Sequence, residues 1–100
     1  MDEFQFEIFL TEDAGIKSKI KAVKTRLSKA RSVEKYLKAN LDSFVLDDNI
    51  MYQALLKINE LMNNSNGAYS NALRKYYIFR NGCEFPMIAE YEKKAKIKLI

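Results

Sequence analysis

Residues 16–39 have the sequence IKSKIKAVKTRLSKARSVEKYLKA, in which apolar and basic residues both recur with the period of a helix. The apolar positions follow at steps of three and four, with a final step of seven: Ile16, Ile20, Val23, Leu27, Ala30 and Leu37. Residues spaced in this way lie on one face of an α-helix. We therefore expect a continuous helix over residues 16–39 that packs through Ile20, Val23 and Leu27.

A second set of positions in this segment carries positive charge. Residues 17–38 contain nine Lys or Arg residues and a single acid, Glu34. Six of the cations recur at the helical steps, shifted by one residue from the apolar face, and we call them the basic row: Lys17, Lys21, Lys24, Arg31, Lys35 and Lys38. One residue turns the helix by about 100°, so this pattern predicts positive charge along one flank.

The basic row has two interpretations. Like charges repel one another along a helix, so an anionic partner is expected, and the phosphate backbone of a nucleic acid is the commonest. The alternative is a solvated Lys-rich face, which many soluble helices have. The scarcity of acids favours the first interpretation, because solvated helices usually intersperse Glu residues among their cations.

The composition predicts one small helical domain over residues 1–100. Hydrophobic residues make up 48% of the chain and charged residues 30%, which is typical of a globular protein. One proline and three glycines leave few breaks, so long helices are expected. Within this domain we distinguish an acidic N-terminal segment, residues 1–14, and a basic C-terminal helix or tail, residues 86–100.

Several classes of chemistry lack the residues they need. The chain has no histidine, which removes the commonest general base and metal ligand, and its only cysteine, Cys83, excludes an internal disulfide. The three glycines, at positions 15, 67 and 82, form no phosphate-binding loop. We therefore expect no catalysis, no metal and no cofactor. The acidic start and the absence of a long uncharged run predict a cytoplasmic protein without membrane contact, as a monomer or weak dimer.

Further helices are expected on both sides of the basic segment. The first covers residues 2–10, although its partial alternation would also suit a short strand. Residues 40–43 are predicted to form a loop, from which Phe44, Val45 and Leu46 pack into the core. Asp47 is the expected N-cap of a third helix over residues 48–62. Its apolar face contains Met51, Ala54, Leu55, Ile58, Leu61 and Met62.

A fourth helix is expected over residues 68–80, between the polar break at residues 63–67 and the Asn81-Gly82 stop. It should bury Tyr69, Ala72, Leu73 and Tyr76. The opposite side carries Asn71, Arg74 and Lys75, of which Asn and Arg suit base edges while Lys suits phosphates. Tyr76 and Tyr77 have the chemistry to stack on bases, but core positions are the stronger expectation.

Two segments lie on either side of a third helix and a polar break: RLSKARSVEKYL (residues 26–37) and GAYSNALRKYYIFRNG (residues 67–82). In this order they resemble the N-terminal core-binding domain of tyrosine recombinases and phage integrases. The resemblance covers about residues 9–85. It implies a SAM-like bundle of four to five helices whose second and fourth helices face duplex DNA. The residues implicated are Lys17, Lys21, Lys24, Arg31, Lys35, Asn71, Arg74 and Lys75. The family's catalytic domain is missing, which implies a binding module from a phage or mobile element, or a fragment of a recombinase.

These observations together predict an all-α bundle that binds double-stranded DNA mainly through phosphates, without catalysis. The alternative is a protein–protein interaction module, an inhibitor or adaptor, that docks on an acidic surface of its partner. The same positive charge would also suit RNA. Whether the acidic residues 1–14 fold over the basic row and mask it is left open by the sequence.

Overall fold

All regular secondary structure in the computed structural model, which describes residues 1–12, 19–64 and 67–99, is α-helical. The described helices are α1 (Glu3–Glu12), α2 (Lys19–Leu37), α3 (Leu41–Val45), α4 (Asp48–Leu61), α5 (Ala68–Asn81) and α6 (Ile88–Leu99). The all-α prediction is confirmed, and the first segment is a helix rather than a strand. Ile16 and Lys17, which the prediction included in the second helix, lie outside the described residues.

The centre of the core lies where α2 packs against α5. Helix α2 buries Val23, Leu27, Ala30 and Val33, and α5 buries Ala72, Leu73, Tyr76 and Tyr77. Val33 fills the gap that the sequence pattern left between Ala30 and Leu37. The prediction for Ile20 was wrong, because this side chain is 79% exposed. It belongs to the first turn of α2, where little of the side chain is covered.

Residues 40–43 do not form the predicted loop. Asn40 is the N-cap of α3, and its side chain accepts a hydrogen bond from the Asp42 backbone at 3.0 Å. Leu41, Phe44 and Val45 are buried because their spacing places them on one side of this short helix. Leu46 follows at the C-cap and is 84% exposed, so its predicted place in the core was wrong.

Capping residues fix the start of α4 and the end of α5. Asp47 is the N-cap of α4, as predicted, and its Oδ1 accepts from the backbone N–H groups of Asn49 and Ile50 at 2.8 and 3.1 Å. The predicted apolar face of α4 is buried except for Leu61, which is 56% exposed. Helix α5 ends at Gly82 with a left-handed φ of 75°, which a glycine adopts without a steric penalty.

The buried Tyr76 side chain joins α5 to two other elements. Its ring lies edge-on to Phe6 of α1, with centroids 4.9 Å apart. Its hydroxyl accepts from the Asp2 backbone N–H at 2.9 Å and donates to the Asp42 carboxylate of α3. Arg80 Nε donates to the same carboxylate at 2.8 Å. Tyr76 is therefore a core residue, as expected, and also the centre of a polar network.

A run of aromatic rings attaches α6 to the remainder of the fold. Tyr77, which is buried like Tyr76, contacts Phe85, Phe85 contacts Tyr91 of α6, and Tyr91 contacts Tyr52 of α4, with ring centroids 5.0–5.3 Å apart. None of the described helices is both long and apolar enough to cross a membrane.

Replacement of Leu27 by alanine tests the packing of α2. Because Leu27 is buried against α5, Leu27→Ala should lower the free energy of unfolding by about 2–5 kcal/mol. Ile20→Ala removes similar apolar bulk from an exposed position of the same helix and should cost less than about 0.5 kcal/mol. Urea denaturation measures both, and equal losses would contradict the arrangement of α2.

The Asp42 network predicts a loss of stability in acid. Burial alone raises the pKa of Asp42, but hydrogen bonds from Tyr76 and Arg80 outweigh it, so the pKa lies below its ordinary value. A carboxylate with a lowered pKa stabilises the fold above its unfolded-state pKa of about 4, and this contribution disappears as the pH falls through the folded-state pKa.

Tyr76→Phe should cost about 1–3 kcal/mol at pH 7 and should make the loss of stability below about pH 4 shallower than in the original chain. Tyr36→Phe removes a hydroxyl from an exposed ring and is the control. Denaturation at pH 7, 5 and 3 measures the difference. Parallel pH profiles for the original chain and Tyr76→Phe would contradict the role of the hydroxyl.

Candidate nucleic-acid interface

Eight of the nine predicted site residues lie in the described part of the chain, and Lys17 lies outside it. Six of the eight are exposed: Lys21, Lys24, Arg31, Lys35, Lys38 and Asn71. Arg74 and Lys75 are half-buried on α5. These residues do not share one groove: six of them line three neighbouring grooves between them, and Lys24 and Arg31 line none of the three.

Arg31 faces α1 and is paired there. Its Nε and Nη2 donate to the two carboxylate oxygens of Glu3 at 2.7 and 2.8 Å. The hydrogen bonds with Glu3 raise the pKa of Arg31, and those with Arg31 lower the pKa of Glu3. The acidic N-terminal segment thus forms an ion pair with one cation of the basic row, which stays exposed. Within the described residues, Lys21, Lys24, Lys35 and Lys38 form no ion pair.

An open groove of about 410 Å³ lies between α2 and α5, and we call it the central groove. It is lined by Lys21, Ala22, Thr25, Arg26, Lys29, Ala68 and Asn71. Arg26 and Lys29 were not among the predicted site residues. Both directly precede a buried residue of α2, whereas the basic row was defined by a shift of one residue after the predicted apolar positions. A search for cations on both flanks of the apolar face, and not only on the flank of the basic row, would have identified Arg26 and Lys29.

A second groove, of about 320 Å³, continues from the first, since Arg26 and Asn71 line both. We call it the Arg74 groove, and it is lined by Arg26, Asn71, Arg74, Lys75, Ile78, Glu84, Phe85 and Met87. Glu84 is the one acid among the residues that line these two grooves. The two grooves together therefore form a continuous, predominantly basic surface.

Arg74 has structural contacts that the sequence did not indicate. Its Nη1 donates to the backbone carbonyls of Phe85 and Pro86 at 3.0 and 3.2 Å, and the guanidinium carbon lies 5.8 Å from the centre of the Phe85 ring. Burial lowers the pKa of Arg74, and the nearby Glu84 opposes this shift. The guanidinium therefore holds the segment after α5 against the helix, which competes with the predicted contact to a base edge.

A third groove, of about 590 Å³, lies beside the C-terminal half of α2, and we call it the Tyr36 groove. It is lined by Ser32, Lys35, Tyr36, Lys38, Met62, Asn63 and Tyr69. The Lys29 ammonium lies 4.7 Å from the centre of the Tyr69 ring. Because Lys29 lines the central groove and Tyr69 lines the Tyr36 groove, the two grooves meet at this contact.

The three grooves bring together cations from α2 and α5 with amide and aromatic groups. Such a surface can neutralise phosphates and hydrogen-bond polar edges of a ligand. The described residues contain no cluster of acids and cysteine that would hold a metal ion.

Comparisons of the chain with protein-family models, with curated proteins and with solved structures give no match. The resemblance to recombinase core-binding domains therefore stays a prediction, and the functional argument depends on the geometry of these grooves.

Arg74→Ala tests the structural role of the guanidinium. Loss of its hydrogen bonds to two backbone carbonyls should lower the free energy of unfolding by about 1.5–3 kcal/mol, because hydrogen bonds to charged groups are strong. Arg74→Lys should recover only part of this, since an ammonium lacks the planar fork. Unchanged stability, with affinity lost on one preferred DNA sequence only, would instead support base recognition by Arg74.

Proposed function

We propose that this chain is a non-catalytic module that binds double-stranded DNA, mainly through phosphates, along the central groove. The observation that carries the proposal is the convergence of Lys21, Arg26 and Lys29 of α2 with Asn71 of α5 in one open groove. A groove lined by cations from one helix and an amide from another suits a charged backbone whose position is fixed from two sides.

The length of the basic surface also suits a duplex. From Lys21 to its last residue, Leu37, α2 rises about 24 Å, a distance over which one DNA strand presents about seven phosphates. The exposed cations outside the central groove, Lys24 and Lys35 among them, would add contacts that neutralise charge without reading sequence. In the recombinase family that the chain resembles, the corresponding helices face the duplex.

The proposal predicts which lysines matter. Lys21→Ala should weaken binding to all duplex sequences alike and lower the salt dependence by about one counterion. Lys24→Ala, three residues along the same helix but outside the three grooves, should have a smaller effect. Lys57→Ala removes an exposed lysine from α4 and is the matched control, with no expected effect. Fluorescence anisotropy with a random duplex at several salt concentrations measures all three.

Equal effects of Lys21→Ala and Lys57→Ala would contradict the central groove as the binding surface. Absence of duplex binding by the original chain at moderate salt would contradict the proposed function. In that case, an acidic protein partner becomes the stronger interpretation of the same charges.

A further inference from the structure

We propose that the Tyr36 groove binds unpaired nucleotides at the end of, or at a break in, a duplex held in the central groove. This inference rests on the proposed function and extends it from duplex DNA to the junction between duplex and single strand. It assigns a ligand to the exposed ring of Tyr36, which phosphate contacts with a duplex do not require.

Tyr36 is the first observation. Its side chain is 60% exposed, and within the described residues it takes part in no hydrogen bond, ring contact or ion pair. The tyrosines of α5 differ from it: Tyr76 and Tyr77 are buried, and Tyr69 has the Lys29 ammonium over its ring. An exposed aromatic ring beside cations provides a stacking surface for a base, and such stacking is tolerant of sequence.

The charges and polar groups of the groove complement a nucleotide. Lys35 and Lys38 line it and can contact phosphates, while the exposed Asn63 side chain offers both a donor and an acceptor to a base edge. No acid is among the lining residues. The volume of about 590 Å³ falls within the range of small-ligand sites, about 300–1,000 Å³.

Lys38 has an unusual backbone conformation for this position. It follows the last residue of α2 with a φ of 55°, a left-handed conformation that disfavours side chains and for which glycine is the usual residue. Its side chain lines the Tyr36 groove, where it adds a positive charge.

Continuity between the grooves selects the ligand. The central groove and the Tyr36 groove meet where the Lys29 ammonium lies over the Tyr69 ring, so a strand held at Lys29 can continue towards Tyr36. In a duplex both faces of each base are covered by its neighbours. An unpaired base outside the duplex has a free face that can stack on Tyr36, so the expected ligand is a single-stranded extension of the duplex.

The test compares a blunt duplex, the same duplex with a short oligo(dT) overhang, and oligo(dT) alone. The overhang should increase affinity by about tenfold over the blunt duplex. Tyr36→Ala should abolish this gain and leave binding of the blunt duplex unchanged, whereas Tyr36→Phe should keep it. Phe4→Ala, which removes another exposed ring from α1, is the matched control and should change neither.

Lys38→Gly is expected to increase the stability of the fold and to decrease its affinity for the overhang. It should raise the melting temperature, because glycine relieves the left-handed backbone, yet reduce the gain from the overhang. Equal affinity for blunt and overhang duplexes, with no effect of Tyr36→Ala, would overturn this inference and leave the proposed function in place. Tyr36-dependent binding of oligo(dT) without any binding of the blunt duplex would overturn the proposed function and support the tyrosine site.

Discussion

The arrangement of the helices depends most on the hydrogen bonds of the Tyr76 hydroxyl. It is buried in the core, yet it accepts a hydrogen bond from the start of α1 and donates one to Asp42 of α3. A buried hydroxyl without partners is costly, so these bonds must form together for the ring to occupy the core. Arg80, one turn further along α5, pairs with the same carboxylate and compensates its charge. Helices α1 and α3 are thereby held in place on α5, and α5 in turn forms one wall of the central groove.

Pairing within the fold also decides which cations remain free to bind a ligand. Arg31 and Glu3 form a two-bond ion pair at the contact between α1 and α2, so the question of masking by residues 1–14 has a partial answer within the described residues. The acidic segment pairs with one cation, Arg31, and leaves four lysines of the basic row without an ion pair there. Arg74 is likewise committed, to two carbonyls of the segment after α5. Three of the four arginines, Arg31, Arg74 and Arg80, therefore hold parts of the fold together, as the fork geometry of a guanidinium allows. Arg26 is the exception, and with the lysines it supplies the positive charge of the grooves.

Periodicity predicted the helices and much of the core, because Val23, Leu27 and Ala30 are buried as their spacing indicated. It was wrong where exposure depends on neighbours in space: Ile20 and Leu61 have the right period, but little in the fold covers them. The short helix α3 was predicted as a loop because Asn40 was interpreted as a loop residue. In the structure Asn40 is instead the N-cap of this helix. For the site, the sequence identified Lys21 and Asn71 as exposed polar groups of two helices, but it had no means of showing that they share a groove with Arg26 and Lys29.

The tyrosines show why residue type alone does not assign a role. Tyr77 is buried and donates to Asp48, and burial together with that carboxylate raises its pKa to about 12, so it stays neutral and structural. Tyr69 carries Lys29 on its ring at the boundary between two grooves. Tyr36 lies in the last turn of α2 with most of its side chain in solvent. Exposing an aromatic ring gives up the stabilisation that burial provides, about 25 cal/mol for each Å² of apolar surface. Tyr36 differs from the other exposed apolar side chains in that it lines a groove together with Lys35 and Lys38, so that a stacking surface lies beside charges that suit phosphates. This combination is the reason for placing a base there.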